Sequence, residues 1–310
     1  MWRDVDHDPR DPEIERPDAG RRAGLERDAS DRESRDPRDV FARDLDLPRG
    51  PERERVSLQA RAYELRGTEV RTLATVGAFR VVPEADLRDP KEMRSRDLRH
   101  LRDLDLVQTV PHVVGKTRTR LMTLTAMGRA VLEDARRTPD REVAQTFYAG
   151  IAKPRELAHD AHLYRAYAKA AERLVASGAR LRRVVLEEEL KREYQRFLQA
   201  SNRRRRENDG RPDRTADEIA EWARSHQLPL DGDSVQFPDV RIEYDERDGR
   251  RAIEDLEVTT PHYRGAHAAA KGRAGFTCYR AIGARLGGGS GSSRSGGRGF
   301  DPRVAEELLE

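Results

Sequence analysis

Residues 237–271, FPDVRIEYDERDGRRAIEDLEVTTPHYRGAHAAAK, contain the side chains whose types and spacing could do chemistry. Val240, Ile242 and Tyr244 alternate with Asp239, Arg241 and Glu243, the period-two pattern of a half-buried strand. Residues 245–249, DERDG, read as a turn between strands. Over residues 252–259, Leu256 and Val258 fall on one side, and Asp255, Glu257 and Thr259 on the other. Paired as a hairpin, the strands bring Asp239 and Glu257 to one face. Two neighbouring carboxylates attract Mg2+ or Mn2+ through hard oxygen ligands. Such an ion polarises a phosphodiester and activates a water. Glu188 is the candidate third metal carboxylate. Lys271, on a helix expected over 263–273, is the candidate to orient the water beside Asp239 and Glu257.

The elements that must hold these groups are legible around them. Leu157-Ala158-His159-Asp160 opens a helix with Leu163, Tyr167, Ala171 and Leu174 at helical spacing, and Gly178 closes it. Residues 181–186 read as a strand, 187–198 as a helix, and 276–282 as a final strand. The order is helix, three strands, helix, strand, with 187–236 inserted after the first strand. Thr215 is an N-cap candidate for the helix carrying Ile219 and Trp222. The run Arg203–Arg206 is expected to be a solvated stretch, with phosphate tracking as the alternative. His159 and His162 lie three apart and His262 and His267 five apart, with no further ligands nearby, so capping and packing roles are expected.

A second group of charges lies upstream. Residues 58–65 and 69–79 read as helices, with Pro83 at the first turn of a third. In the next helix Met93, Leu98, Leu101 and Leu104 form an apolar stripe, and Arg94, Ser95, Arg96 and Arg99 fall largely on other faces. Strands at 106–107 and 121–124 flank a basic tip containing Lys116, Arg118 and Arg120, and Thr125 caps a closing helix. This order, with LVQTV and RLMTLTAMGRAVLE, resembles winged helix-turn-helix proteins over roughly eighty residues. The resemblance implies DNA as partner. Arg94, Ser95, Arg96 and Arg99 would face a major groove, and Lys116, Arg118 and Arg120 would lie on the wing.

The later region, with Pro238-Asp239 and Leu256-Glu257-Val258-Thr259, resembles the metal-binding core of PD-(D/E)xK nucleases. The fold class implied is α/β with an α-rich N-terminal part: a winged helix followed by a restriction-endonuclease-like αβββαβ core. The departure is Thr259, where those enzymes usually carry a lysine. An uncharged threonine cannot stabilise charge on a scissile phosphate. An active Mg2+-dependent endonuclease and a non-catalytic core both remain open. Together with the Leu157-x-His159-Asp160 helix start and Glu187–Leu190, the arrangement over roughly 57–282 is similar to the replication-relaxation family of plasmids and mobile elements. That implies a role in plasmid replication, relaxation or mobilisation, with plasmid replication or transfer proteins as partners and homodimerisation as a further option. The alternative is a regulator or accessory factor whose C-terminal domain docks or dimerises.

Composition sets outer limits. Charged residues make up 38% of the 310 and hydrophobic ones 36%, and the net charge is only +3. Partners must therefore be read from local charge. Residues 1–55 read as a disordered charged tail, with a short helix near Val40, Phe41 and Leu45 able to dock on the next domain. The winged helix is expected over 56–138 and the nuclease-like domain over 139–286. A Gly/Ser linker at 287–299 and a short helix at 300–310 complete the chain. One cysteine, Cys278, excludes a disulfide framework, and no apolar run is long enough to span a bilayer. A cytoplasmic protein without membrane partners is expected.

Overall fold

The computed structural model describes residues 36–58, 60–89, 93–114, 117–137, 144–151, 154–200, 214–259 and 274–280. Apart from Asp36, these residues belong to one unit, Pro37–Glu310. It is mixed α/β, with helices packed on several sheets.

The described residues begin inside the stretch expected as a charged tail, at the short docking helix expected near Val40, Phe41 and Leu45. Helix α1 (Asp39–Ala42) buries Val40 and Phe41, and Leu45 and Leu47 follow them into the core. The Tyr167 hydroxyl donates to the Pro37 carbonyl at 2.6 Å, fastening the start of this unit to a distant helix. The helix expected over 58–65 is instead a hairpin of β1 (Glu54–Leu58) and β2 (Arg61–Leu65). Tyr63 and Leu65 are buried while Ala62 and Glu64 are exposed, so alternation prevailed over helical spacing.

Helix α2 (Gly67–Ala78) is buried almost all round. Strand β3 (Val82–Pro83) and a 3-10 turn at Glu84–Leu87 follow, where a helix was expected, and then α3 (Ser95–Asp103). Strands β4 (Val107–Val114) and β5 (Thr117–Leu124) form a hairpin, and β3 adds to it in the order β3-β5-β4. In α4 (Ala126–Asp134) the Thr125 hydroxyl accepts from the Gly128 N–H at 3.0 Å, the expected cap. Gly128 is needed for contact as well: a Cβ there would lie 2.0 Å from the Leu106 carbonyl oxygen.

The second sheet runs β11-β10-β9-β6, from β6 (Arg180–Leu186), β9 (Val240–Asp245), β10 (Arg251–Thr259) and β11 (Thr277–Arg280). Strands β6, β9 and β10 pair antiparallel, and β10 pairs parallel with β11. A parallel pair needs a crossover of a dozen or more residues, and residues 260–276 have that length. The helix expected at 263–273, with Lys271, lies outside the described residues, as do His262, His267 and Arg203–Arg206.

Helix α5 (Leu157–Ala176) covers one face of this sheet. Leu163, Tyr167, Ala171 and Leu174 share a core with Val184, Leu186, Val240, Ile242, Leu256 and Val258. On the opposite face Val185 and Phe237 pack with Leu190 of α6 (Glu187–Gln199) and Trp222 of α7 (Ala216–Ser225). A small hairpin of β7 (Leu230–Asp231) and β8 (Ser234–Val235) comes after α7. The first core also holds α1, α2, α3 and α4, so one apolar interior joins the upstream helices to the sheet. Phe79 sits at this junction, 5.5 Å from the ring of Phe41, 5.4 Å from Tyr164 and 5.1 Å from Tyr167.

The free edge of β6 is covered by side chains. Gln145 accepts from Val184 N–H and donates to its carbonyl, both at 2.9 Å, as a strand partner would. Arg43 donates to the Leu181 and Arg182 carbonyls at 2.9 and 3.1 Å. Such covering blocks edge-to-edge pairing.

Candidate functional site

Asp239 sits immediately before β9, and its three oxygens tie separate elements together. Its Oδ2 accepts from the Val258 N–H of β10 at 2.7 Å. Its Oδ1 lies 3.2 Å from Nε2 of His159, in the first turn of α5. Its backbone carbonyl accepts from the Glu187 N–H, which opens α6, at 3.1 Å. Leu256 stands opposite Val240, so Asp239 and Glu257 occupy the next positions on adjacent strands. Glu257 is 2% exposed.

His159, for which a capping or packing role was expected, is brought against Asp239 by the fold. Burial lowers its pKa, but the contact with Asp239 and the charges of Asp239, Asp160 and Glu257 outweigh burial and raise it. The imidazole therefore senses three carboxylates at once. The signal was present in Leu157-x-His159-Asp160, but a histidine at a helix start reads first as a cap. His162, one turn further on, behaves oppositely: burial, then the positive fields of Arg165 and His159, lower its pKa.

Glu188 is engaged elsewhere. Its Oε2 accepts from Arg80 Nη1 at 3.2 Å, and its Oε1 from Arg192 Nη2 at 2.8 Å. Arg80 also lies 3.6 Å from Asp160 and adopts a left-handed backbone at φ 63°. It thus joins the start of α5 to the start of α6. Among the described residues, no three His, Cys, Asp or Glu form a group able to hold a metal. Asp239 and Glu257 supply two carboxylates, the number Mg2+ commonly takes from a protein, but both Asp239 carboxylate oxygens already face Val258 N–H and His159. Thr259 donates its hydroxyl to the Tyr279 carbonyl of β11 at 3.3 Å, so it serves the sheet.

The upstream charges lie in a different setting. Leu98 and Leu101 seat α3 in the core, while Arg94, Ser95, Arg96 and Arg99 are exposed. Asp97 accepts from the Arg94 N–H at 2.9 Å and fixes the helix start. Arg102 turns inward to Glu84 at 3.5 Å and Thr109 at 3.3 Å. On β5, Arg118 and Arg120 are exposed, opposite Val113 and Pro111 of β4. Between them Thr119 is buried, as strand alternation requires. Lys116 lies outside the described residues.

Comparison with protein-family models, with curated proteins and with solved structures finds no match to this chain. Among the described residues, no helix is long and apolar enough to cross a membrane.

Proposed function

We propose that the protein binds duplex DNA through α3 and the β4–β5 hairpin, in a winged-helix manner, and that its second sheet carries a nuclease-like carboxylate site. The observation that carries this reading is the exposed row Arg94, Ser95, Arg96 and Arg99 on a helix anchored by Leu98 and Leu101. A rigidly seated helix with exposed guanidiniums suits a major groove, where arginine reads guanine and neighbouring groups hold phosphates. Arg118 and Arg120 add the flanking contacts of a wing. The role implied by the resemblance is in replication, relaxation or mobilisation of a plasmid or other mobile element.

At the sheet, Asp239 and Glu257 would hold Mg2+, which when bound supplies a polarised phosphate and a more acidic water. The chain's own contribution is positional. Val258 N–H and His159 orient the Asp239 carboxylate, and burial keeps Glu257 from bulk solvent. A second reading, an accessory factor without chemistry, is favoured by Thr259. Its hydroxyl is committed to Tyr279, and it brings no charge to the site.

Two measurements test these readings. Electrophoretic shift across a salt series should show binding that weakens steeply with salt and is reduced in Arg99→Ala. Absence of binding at low salt would overturn the DNA reading. Supercoiled plasmid with Mn2+ should be nicked by the wild type and left intact by Asp239→Ala and Glu257→Ala. An uncut plasmid with a wild type that binds DNA selects the accessory reading.

A further inference from the structure

We propose that the residues flanking the β1–β2 hairpin and the starts of α2 and α3 form a clamp for a DNA backbone phosphate, with Arg53 and Arg66 as new contacts beside Arg96. The inference rests on the DNA reading of α3 and extends its footprint to an element not included in that reading.

Arg53 lies just before β1, Arg66 at the N-cap of α2, and Arg96 in the first turn of α3. Arg53 grips Glu69 with two donors, Nε at 3.2 Å and Nη2 at 2.6 Å, and the same Nη2 lies 3.6 Å from Asp97. Arg66 Nη2 is 2.9 Å from Asp97, and Arg96 Nε is 3.9 Å from it. Exposure separates the two kinds of group. The Glu69 and Asp97 side chains are 0% and 2% exposed, and those of Arg53, Arg66 and Arg96 are 38%, 22% and 73% exposed. The carboxylates lie beneath and the guanidiniums above, so an anion arriving from solvent meets nitrogen first.

The buried carboxylates also organise both helix starts. Glu69 accepts from the Arg66 N–H at 3.1 Å, and Asp97 from the Arg94 N–H at 2.9 Å. Arg53 touches both carboxylates, so the positive ends of two helices converge around one guanidinium. Guanidinium carries five N–H donors in a fixed fork. Arg53 directs Nε and Nη2 to Glu69, which leaves Nη1 for a ligand. A donor already fixed by a buried acceptor loses little further entropy on binding.

The depression is lined by Pro51, Arg53, Arg66, Arg96, Asp97 and His100, with Asp103 at one end. His100 Nε2 meets the Glu64 carbonyl at 3.0 Å and fixes the hairpin against α3. The opposing exposed charges are Asp103, which closes α3 about 12 Å along the axis from Ser95, and Glu64 of β2, whose charge acts on Arg53. The fitting ligand is a backbone phosphate because Arg96 belongs both to this depression and to the exposed face of α3. A helix in a major groove brings its flanking elements against the phosphates that border the groove.

The test is fluorescence anisotropy of the full-length protein with a labelled duplex across a salt series. Each phosphate contact contributes about 0.9 to the slope of log affinity against log salt. Arg53→Gln and Arg66→Gln should each weaken binding and lower the slope by about one. Arg247→Gln, in an exposed turn, should change neither. Because Arg53→Gln leaves the buried Glu69 carboxylate without its guanidinium, the double variant Arg53→Gln/Glu69→Gln is measured too. It keeps the net charge, its fold is checked by circular dichroism, and it should show the same loss of slope. Unchanged slopes in these folded variants, with binding reduced in Arg99→Ala, would overturn the clamp and leave the DNA reading intact. A wild type that does not bind DNA overturns both.

Discussion

The exposed face of α3 and the end of the second sheet use charge in opposite ways. On α3, Arg94, Arg96 and Arg99 stand in solvent while Leu98 and Leu101 provide the packing. At the sheet, charges are buried and committed to neighbours. Asp239 binds a strand amide and a histidine, and Arg241 binds Asp255 at 2.7 and 2.8 Å and the His226 and Gln227 carbonyls at 2.6 and 3.0 Å. An exposed charge contributes little to folding and is free to serve a ligand. A buried charge must first satisfy the fold, and any chemistry has to be compatible with those bonds. On the proposed reading, recognition would fall to α3, where structural constraints are few, and any function at the sheet would be inseparable from stability.

The largest expected effect tests whether the two regions are independent. Phe79 is fully buried and touches Phe41, Tyr164 and Tyr167, linking α1 and α5 at the end of α2. Phe79→Ala should cost about 3–5 kcal/mol. Because one core runs through both regions, denaturant unfolding followed by far-UV circular dichroism and by tryptophan fluorescence should shift as a single transition. Two separated transitions would break the picture of a shared interior.

A pair of arginines then sharpens the contrast. Arg241→Leu strands Asp255 in the sheet and should cost about 3–5 kcal/mol, whereas Arg241→Leu/Asp255→Leu should recover much of the loss. Arg99→Ala should stay within about 0.5 kcal/mol of wild type in the same urea titration. Equal losses from Arg241 and Arg99 would mean that burial does not distinguish the two regions.

Local signals were legible where a residue's role is set by its neighbours in sequence. Alternation around Val240 and Ile242 predicted β9, the spacing of Leu163, Tyr167, Ala171 and Leu174 predicted α5, and Thr125 and Thr215 cap as expected. Residues 58–65 were misread because Tyr63 and Leu65 form too short a period to separate from helical spacing, and the fold decided between them. Residues 39–47 lie in the stretch expected as tail, yet Val40, Phe41 and Leu45 were legible as a short docking helix, and that helix is present. They are held by a core built from residues far along the chain. Glu188 was a candidate metal carboxylate, and Thr259 marked the departure from the nuclease pattern. Their partners Arg80 and Tyr279 come from distant segments.

The smallest effect expected concerns the histidines of α5. Asp239, Asp160 and Glu257 raise the pKa of His159 against the opposing effect of burial. Relative to an unfolded value near 6.5, its protonated form contributes stability fully below about pH 6.5. That contribution is lost as pH rises through the higher folded value. Burial and the charges of Arg165 and His159 lower the pKa of His162, so its protonation opposes the fold as pH falls through the unfolded value. Urea titrations across pH should therefore give opposite trends for the two variants. His159→Gln should lose most stability relative to wild type at acidic pH and converge with it at alkaline pH. His162→Gln should gain at acidic pH and converge likewise. Parallel curves for both would show that His159 does not sense the carboxylates around Asp239, and would remove the distinction between a charge-coupled strand end and an ordinary buried helix start.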